Sequence, residues 1–247
     1  MTDAAPFEVI PAIDLRGGRV VRLKQGDYAR QTTYAGDPRA LADRYATAGA
    51  RWLHVVDLDG ARSGSLDNLA VIEALAASGA LTVQAGGGVR SEDDLRQLFN
   101  AGVTRVVLGS VAIRAPEQVA GWLASYGAER LTIALDTRQA DGRWTLPSAG
   151  WIEAEARSLD ELAPWYAAHG ARHLLCTDIA RDGMLAGFNL ALYRHLGEIA
   201  PALALQASGG VRSLDDIRAA RAAGASAVIL GRALLEGRFD LAGALAC

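Results

Sequence analysis

The chain alternates short apolar runs with longer stretches in which apolar residues recur at helical spacing. The apolar runs lie at 9–13, 52–56, 81–85, 105–108, 131–135, 173–176, 203–207 and 227–230. Each is too short for a helix, and runs of this kind read as strands of a sheet covered on both faces. The segments at 38–48, 66–77, 92–101, 116–126, 159–169, 190–199 and 214–223 read as the helices between them. Strand alternating with helix predicts a parallel sheet with right-handed crossovers. Eight such units in 247 residues match the size of an α/β (β/α)8 TIM barrel. A doubly wound open sheet is the alternative.

The pattern also repeats. Residues 81–113 and 203–235 align without a gap, and 16 of the 33 positions are identical. The offset is 122 residues, half the chain, which points to two similar halves, about 1–122 and 123–247. A two-fold repeat of four units closes naturally into a barrel. No composition shift separates the halves, so one domain over 1–247 is expected. In each copy a strand ends in glycines (Gly87 and Gly88; Gly209 and Gly210), and a helix-start signal follows (Ser91, Asp93, Asp94; Ser213, Asp215, Asp216). A second strand then ends in Gly109 or Gly231. Glycine lets backbone approach a ligand, and amides at a helix start face an anion. The two copies therefore predict two phosphate cups, and with them a substrate carrying two phosphates. Arg90 and Arg212 recur in both copies, which weakens the alternative that the glycines only make tight turns.

Composition narrows the classes. Hydrophobic residues make up 51% of the chain, enough for a large core, and the net charge of −3 argues against nucleic-acid binding. No apolar run has the length to span a bilayer. The N-terminal residues lack a basic segment followed by an apolar one, so no secretory signal is expected. Two cysteines, Cys176 and Cys247, suggest no disulfide framework. A cytoplasmic protein is expected, and a monomer. His54, His169, His173 and His195 show no ligand spacing, so no metal site is expected and these side chains read as structural or surface residues.

The acids carry the candidate chemistry. Asp14 ends the first strand and Asp136 the fifth, again 122 residues apart. Strands one and five of an eight-stranded barrel face each other. The two carboxylates should therefore meet across the mouth as a general acid–base pair, in environments that keep one ionised and the other protonated. A cap or turn role is the alternative for an acid at a strand end, but both precede the long loops 16–37 and 137–158 rather than helices. Such loops surround the active site of a barrel and can close over it. Asp57 and Asp178 form a second matched pair; a ligand contact and the holding of their own loops are equal readings.

At this point the residues resemble a known family. IPAIDLRGGRVVRLKQGDY, LHVVDLDGA, VQAGGGVRS, VVLGS, IALDT, CTDIARDGMLAG, SGGVRS and VILGRAL together are similar, in family order and over essentially the whole chain, to histidine-biosynthesis isomerases acting on phosphoribosylformimino-aminoimidazole carboxamide ribotide. The resemblance implies a duplicated half-barrel, a substrate with a phosphoribosyl group at each end, an Amadori rearrangement from aminoaldose to aminoketose, and neither cofactor nor metal. It aligns the family's base with Asp14, its acid with Asp136, and its strand-six threonine with Thr177. It also aligns Arg22, Arg90 and the stacking tryptophan, here Trp151, with substrate contacts. The expected contact set is completed by Gly26, Gly87, Gly88, Gly109, Ser110, Asp178, Ser208, Gly209, Gly210, Gly231 and Arg232. The chain departs from the family at Met184, where a threonine is usual, and at Phe188, where a proline is commoner; the second cup should then rely on backbone amides, Ser208 and Arg232.

Three rivals remain. The sister cyclase of the pathway carries a lysine in a VVKG-like motif, where this chain has Val20-Val21-Arg22-Leu23. A bifunctional isomerase would also accept phosphoribosylanthranilate. A non-catalytic phosphosugar-binding barrel would not require both Asp14 and Asp136.

Overall fold

The structure, a computed structural model, describes residues 7–148 and 153–247. Eight parallel strands close on themselves: β1 Glu8–Arg16, β2 Trp52–Asp57, β3 Thr82–Gly86, β4 Arg105–Leu108, β5 Leu131–Ala134, β6 His173–Thr177, β7 Ala204–Ser208 and β8 Ala227–Leu230. Closure is made by β8 on β1, with Val9 opposite Val228 and Ile10 opposite Ile229. All eight strands fall where the apolar runs predict them, so the sheet is a (β/α)8 barrel and not an open one.

Alternation along each strand sorts the two faces. Val9, Ile13 and Leu15 of β1 point outward into the large core between sheet and helices. Ile10 and Ala12 point inward, where they meet Val107, Ala134, Leu175, Ala227 and Ile229 in a small apolar plug. Asp14 keeps the inward parity of Ala12 and so emerges at the C-terminal mouth. The two halves reproduce their local chemistry as well. Helices Glu92–Asn100 and Leu214–Ala222 each begin in a capping box, Ser91 with Asp94 and Ser213 with Asp216. Such a box satisfies two of the four orphan amides at a helix start.

Each half also carries one long excursion after its first strand. The first is a hairpin, Arg19–Lys24 and Asp27–Thr33, continuing the sheet antiparallel from β1. Gln25 and Gly26 both have positive φ (53° and 72°) at its turn, the twist that two-residue hairpins favour. The second is a three-stranded sheet of Arg138–Ala140, Arg143–Ser148 and Glu153–Ser158. Sequence pattern reads both only as long loops, because strands such as Asp27–Thr33 and Arg138–Ala140 are largely exposed and carry no apolar alternation. No helix among the described residues is long and apolar enough to cross a membrane.

Candidate active site

The C-terminal ends of the strands surround one cavity of about 1090 Å³. β1 and β5 stand four strands apart in the closed ring, and Asp14 and Asp136 both line this cavity from opposite sides. So do Arg22, Gly26, Gly87, Gly88, Arg90, Gly109, Ser110, Thr177, Ser208, Gly209, Gly210, Gly231 and Arg232. Of the expected site residues, Asp178 does not line it, and Trp151 lies outside the described residues.

Asp14 is nearly buried and receives a hydrogen bond from Arg22, Nη1 to Oδ2 at 2.7 Å. The other arm of the same guanidinium reaches Asp182 Oδ1 at 2.6 Å. Arg22 comes from the hairpin after β1 and Asp182 from the loop after β6, so one cation ties the two loops together over the mouth. Burial pushes the Asp14 carboxyl above its ordinary value; Arg22 pulls it back, and Asp182 raises it further. The two flanking carboxylates hold the Arg22 guanidinium firmly charged. Sequence reasoning assigned nothing to Asp182. It is 160 residues from Arg22, and its only sequence signal is its place in the RDGM stretch.

The glycine turns have a reason beyond any ligand. Gly87 and Gly88 have φ of 100° and 88°, and a Cβ on either would stand 2.1 Å from the carbonyl oxygen of Asp57 or Ser65. The loop after β2 packs directly on the turn after β3. Gly210 repeats this against the Gly187 carbonyl, at 2.6 Å. By contrast, no protein atom lies within 4 Å of a Cβ placed on Gly109, so the space before that turn is open. A Cβ on Gly231 would meet Arg22 Nη1 at 2.9 Å, which sets the bridging arginine against the second glycine turn. Arg90 lies with its guanidinium over Gly64, facing the cavity. Arg232 is tied to Glu236 at 2.6 Å and donates to the Gly183 carbonyl.

Asp57 and Asp178 do matching work inside their loops. Asp57, with no exposure, accepts from the amides of Gly60 and Asn68 and from Asn68 Nδ2. Asp178 accepts from the Ala180 amide at 2.9 Å and from Asn189 Nδ2 at 2.7 Å. These bonds support the loop-holding alternative for both. Met184 is exposed and does not line the cavity. Phe188 is buried edge-on to Tyr193. Of the histidines, His54 is the one that lines the cavity. Among the described residues no three His, Cys, Asp or Glu side chains cluster as metal ligands would.

The fold and the position of this cavity define a (β/α)8-barrel enzyme working at the C-terminal mouth. The model of the histidine biosynthesis protein family matches residues 8–240. A protein of Stenotrophomonas maltophilia (strain R551-3), named 1-(5-phosphoribosyl)-5-((5-phosphoribosylamino)methylideneamino) imidazole-4-carboxamide isomerase, is 55% identical over 242 residues, covering 98% of this chain and 99% of that protein. Its namesake in Xanthomonas axonopodis pv. citri (strain 306) shows the same identity and coverage. The chain belongs to the histidine biosynthesis protein family and is an isomerase of the aldose–ketose type.

Proposed function

We propose that this isomerase acts on the bis-phosphoribosyl imidazole carboxamide for which its relatives are named, through an Amadori rearrangement. The observation that carries the reading is the placement of Asp14 and Asp136 on opposite walls of one cavity, flanked by two glycine turns 122 residues apart. Asp136, as acid, protonates the ring oxygen of the aminoaldose, and the ring opens to an iminium. Asp14, as base, then takes the proton from the adjacent sugar carbon, and the resulting enol settles as the aminoketose. Arg22 favours the ionised form of Asp14 that this step requires. The turns at Gly87–Gly88 with Gly109 and Arg90, and at Gly209–Gly210 with Gly231 and Arg232, hold the phosphate at each end. Holding both ends fixes the sugar between the acids and supplies a large share of the rate. Thr177 is assigned to the reacting sugar, Ser110 and Ser208 to the two phosphate cups, and all three line the cavity; Trp151 is assigned to stack on the imidazole.

The test is an absorbance assay of the purified chain with the bis-phosphoribosyl substrate, run beside phosphoribosylanthranilate. Turnover of the first supports the reading, and turnover of both marks a bifunctional isomerase. Tight binding without turnover of either would leave a phosphosugar-binding barrel instead.

A further inference from the structure

The two halves differ in how one matched pair of side chains is used. Asn68 and Asn189, 121 residues apart, stand at the starts of helices Leu69–Ala77 and Leu190–Ile199. Each donates from Nδ2 to the strand-end acid of its own loop, Asn68 to Asp57 at 2.6 Å and Asn189 to Asp178 at 2.7 Å. Asn189 also caps its helix, its Oδ1 accepting from the Leu192 amide at 3.2 Å. Asn68 makes no such cap. Its Oδ1 accepts instead from the amide of Gly18, at 2.8 Å, in the turn between β1 and the hairpin. An asparagine cap normally strengthens a helix start, so the first half gives up a local contact for a distant one. Departures of this kind from local rules gather where function needs them.

With that bond, three contacts from the loop after β2 reach the hairpin. Asp59 Oδ2 accepts from the Gly17 amide at 2.6 Å, and from Asn68 Nδ2 at 3.0 Å. The Tyr28 hydroxyl, just past the hairpin tip, donates to the Leu58 carbonyl at 2.7 Å. Asn68 and Asp57 are buried, whereas Asp59 keeps 32% of its side chain exposed and can be shortened without emptying the interior. The hairpin pairs with β1 from Arg16–Arg19 to Asp14–Val21, and Arg22 lies just past the last pair. The tilt of the turn at Gly17 and Gly18 therefore sets where the Arg22 guanidinium meets Asp14. On its other side the hairpin touches the loop after β6, through Arg22 with Asp182 and Gln25 with the Ala180 carbonyl. It is suspended between two matched loops, with its turn and its second strand fixed to the loop after β2.

We propose that Asp59, Asn68 and the Tyr28 hydroxyl are positioning residues, which hold the hairpin against the loop after β2 so that Arg22 meets Asp14. The role of Asp14 as base rests on the reading of the reaction given above; the anchoring of Arg22 does not. Asp14 is faced by Arg22 from the hairpin and by Asp182 from the loop after β6. It shares the cavity with Asp136, His54 and Arg232, and Tyr34 at the end of the hairpin lies within its electrostatic reach.

The experiment titrates the Asp14 carboxyl by ¹³C NMR in the free enzyme, with Asp14→Asn identifying the signal, and sets it beside the pH profile of kcat/KM. Asp59→Ala should raise the Asp14 midpoint, because Arg22 lowers that carboxyl. Deleting the Asp59 charge acts the other way by itself, since losing a nearby negative charge lowers a carboxyl; a rise therefore reports a displaced guanidinium. kcat/KM should fall by about threefold or more, with its acidic limb moved to higher pH. In an Arg22→Gln background the same change should move neither the midpoint nor the limb further. Asp59→Asn keeps an acceptor for the Gly17 amide and should titrate close to the wild type. An unchanged or lowered midpoint in Asp59→Ala, or an equal rise in the Arg22→Gln background, would overturn the proposal. If Asp59→Ala fails to fold, Tyr28→Phe, which removes one hydroxyl, should give the same rise and decides in its place. Absence of turnover in the wild type would count against the reaction instead, and the titration would still decide the anchoring.

Discussion

Arg22 donates to Asp14 at 2.7 Å and, through its other nitrogen, to Asp182 at 2.6 Å. The first expected consequence concerns pH. Burial raises the Asp14 carboxyl and Arg22 lowers it, so Arg22→Gln removes the lowering influence and the Asp14 pKa rises further. A base must be ionised, and activity is lost as pH falls through its pKa. The acidic limb of kcat/KM against pH should therefore move to higher pH. A limb that stays in place would remove Asp14 from the role of base.

Asp14→Asn and Asp136→Asn preserve shape and remove the titrating group. Each should lower kcat by about a hundredfold or more, while calorimetry still detects binding of the aminoketose product. Full activity in either variant sinks the acid–base assignment.

Gly64 has a φ of 81°, and a Cβ there would stand 2.0 Å from Cζ of Arg90. Gly64→Ala should therefore displace Arg90 from the cavity wall. Its KM should rise in parallel with that of Arg90→Ala, by about tenfold for each, with kcat much less affected. An unchanged KM in Arg90→Ala would argue that this arginine does not hold a phosphate.

Gly88→Ala would force a Cβ to within 2.1 Å of the Ser65 carbonyl oxygen, at a φ of 88°. Both overpacking and left-handed strain act at this site, for a loss of about 2–4 kcal/mol in urea unfolding. Gly79→Ala has φ 65° but open space and should lose only about 1 kcal/mol. Equal losses would mean that the loop after β2 yields, and that the turn is less rigid than its contacts imply.

Ser91→Ala and Ser213→Ala each remove one capping box. Each should cost about 1 kcal/mol, and the two losses should add, since separate helices are involved. A strongly cooperative loss would show the half-barrels to be coupled through these caps.

Much of this architecture is legible along the chain because its signals are local. Strand boundaries at 105–108 and 227–230, and helix boundaries at 116–126 and 190–199, agree residue for residue with the expectation. There, apolar spacing, a proline at the first turn, or a capping residue acts over only a few positions. The pairing of Asp14 with Asp136 was legible for a different reason: duplication turns a distance in space into a fixed offset in sequence. Asp57 and Asp178, 121 residues apart, were not settled by their places in the repeat, because a strand-end carboxylate can serve its own loop or a ligand; the bonds to Asn68 and Asn189 favour the loop.

By itself, then, the sequence determined the eight-fold alternation, the two-fold repeat and the rim positions of the acids, since each is written in neighbouring residues or in one repeat distance. Tertiary structure alone decided that Arg22 bridges Asp14 and Asp182 and that Gly87 and Gly88 are required by the loop beside them. It also decided that Asn68 turns its side chain to the Gly18 amide and not to its own helix. These are contacts between strands and loops far apart in the chain. Barrel closure brings them within hydrogen-bond reach, and no local pattern of apolar and polar residues encodes them.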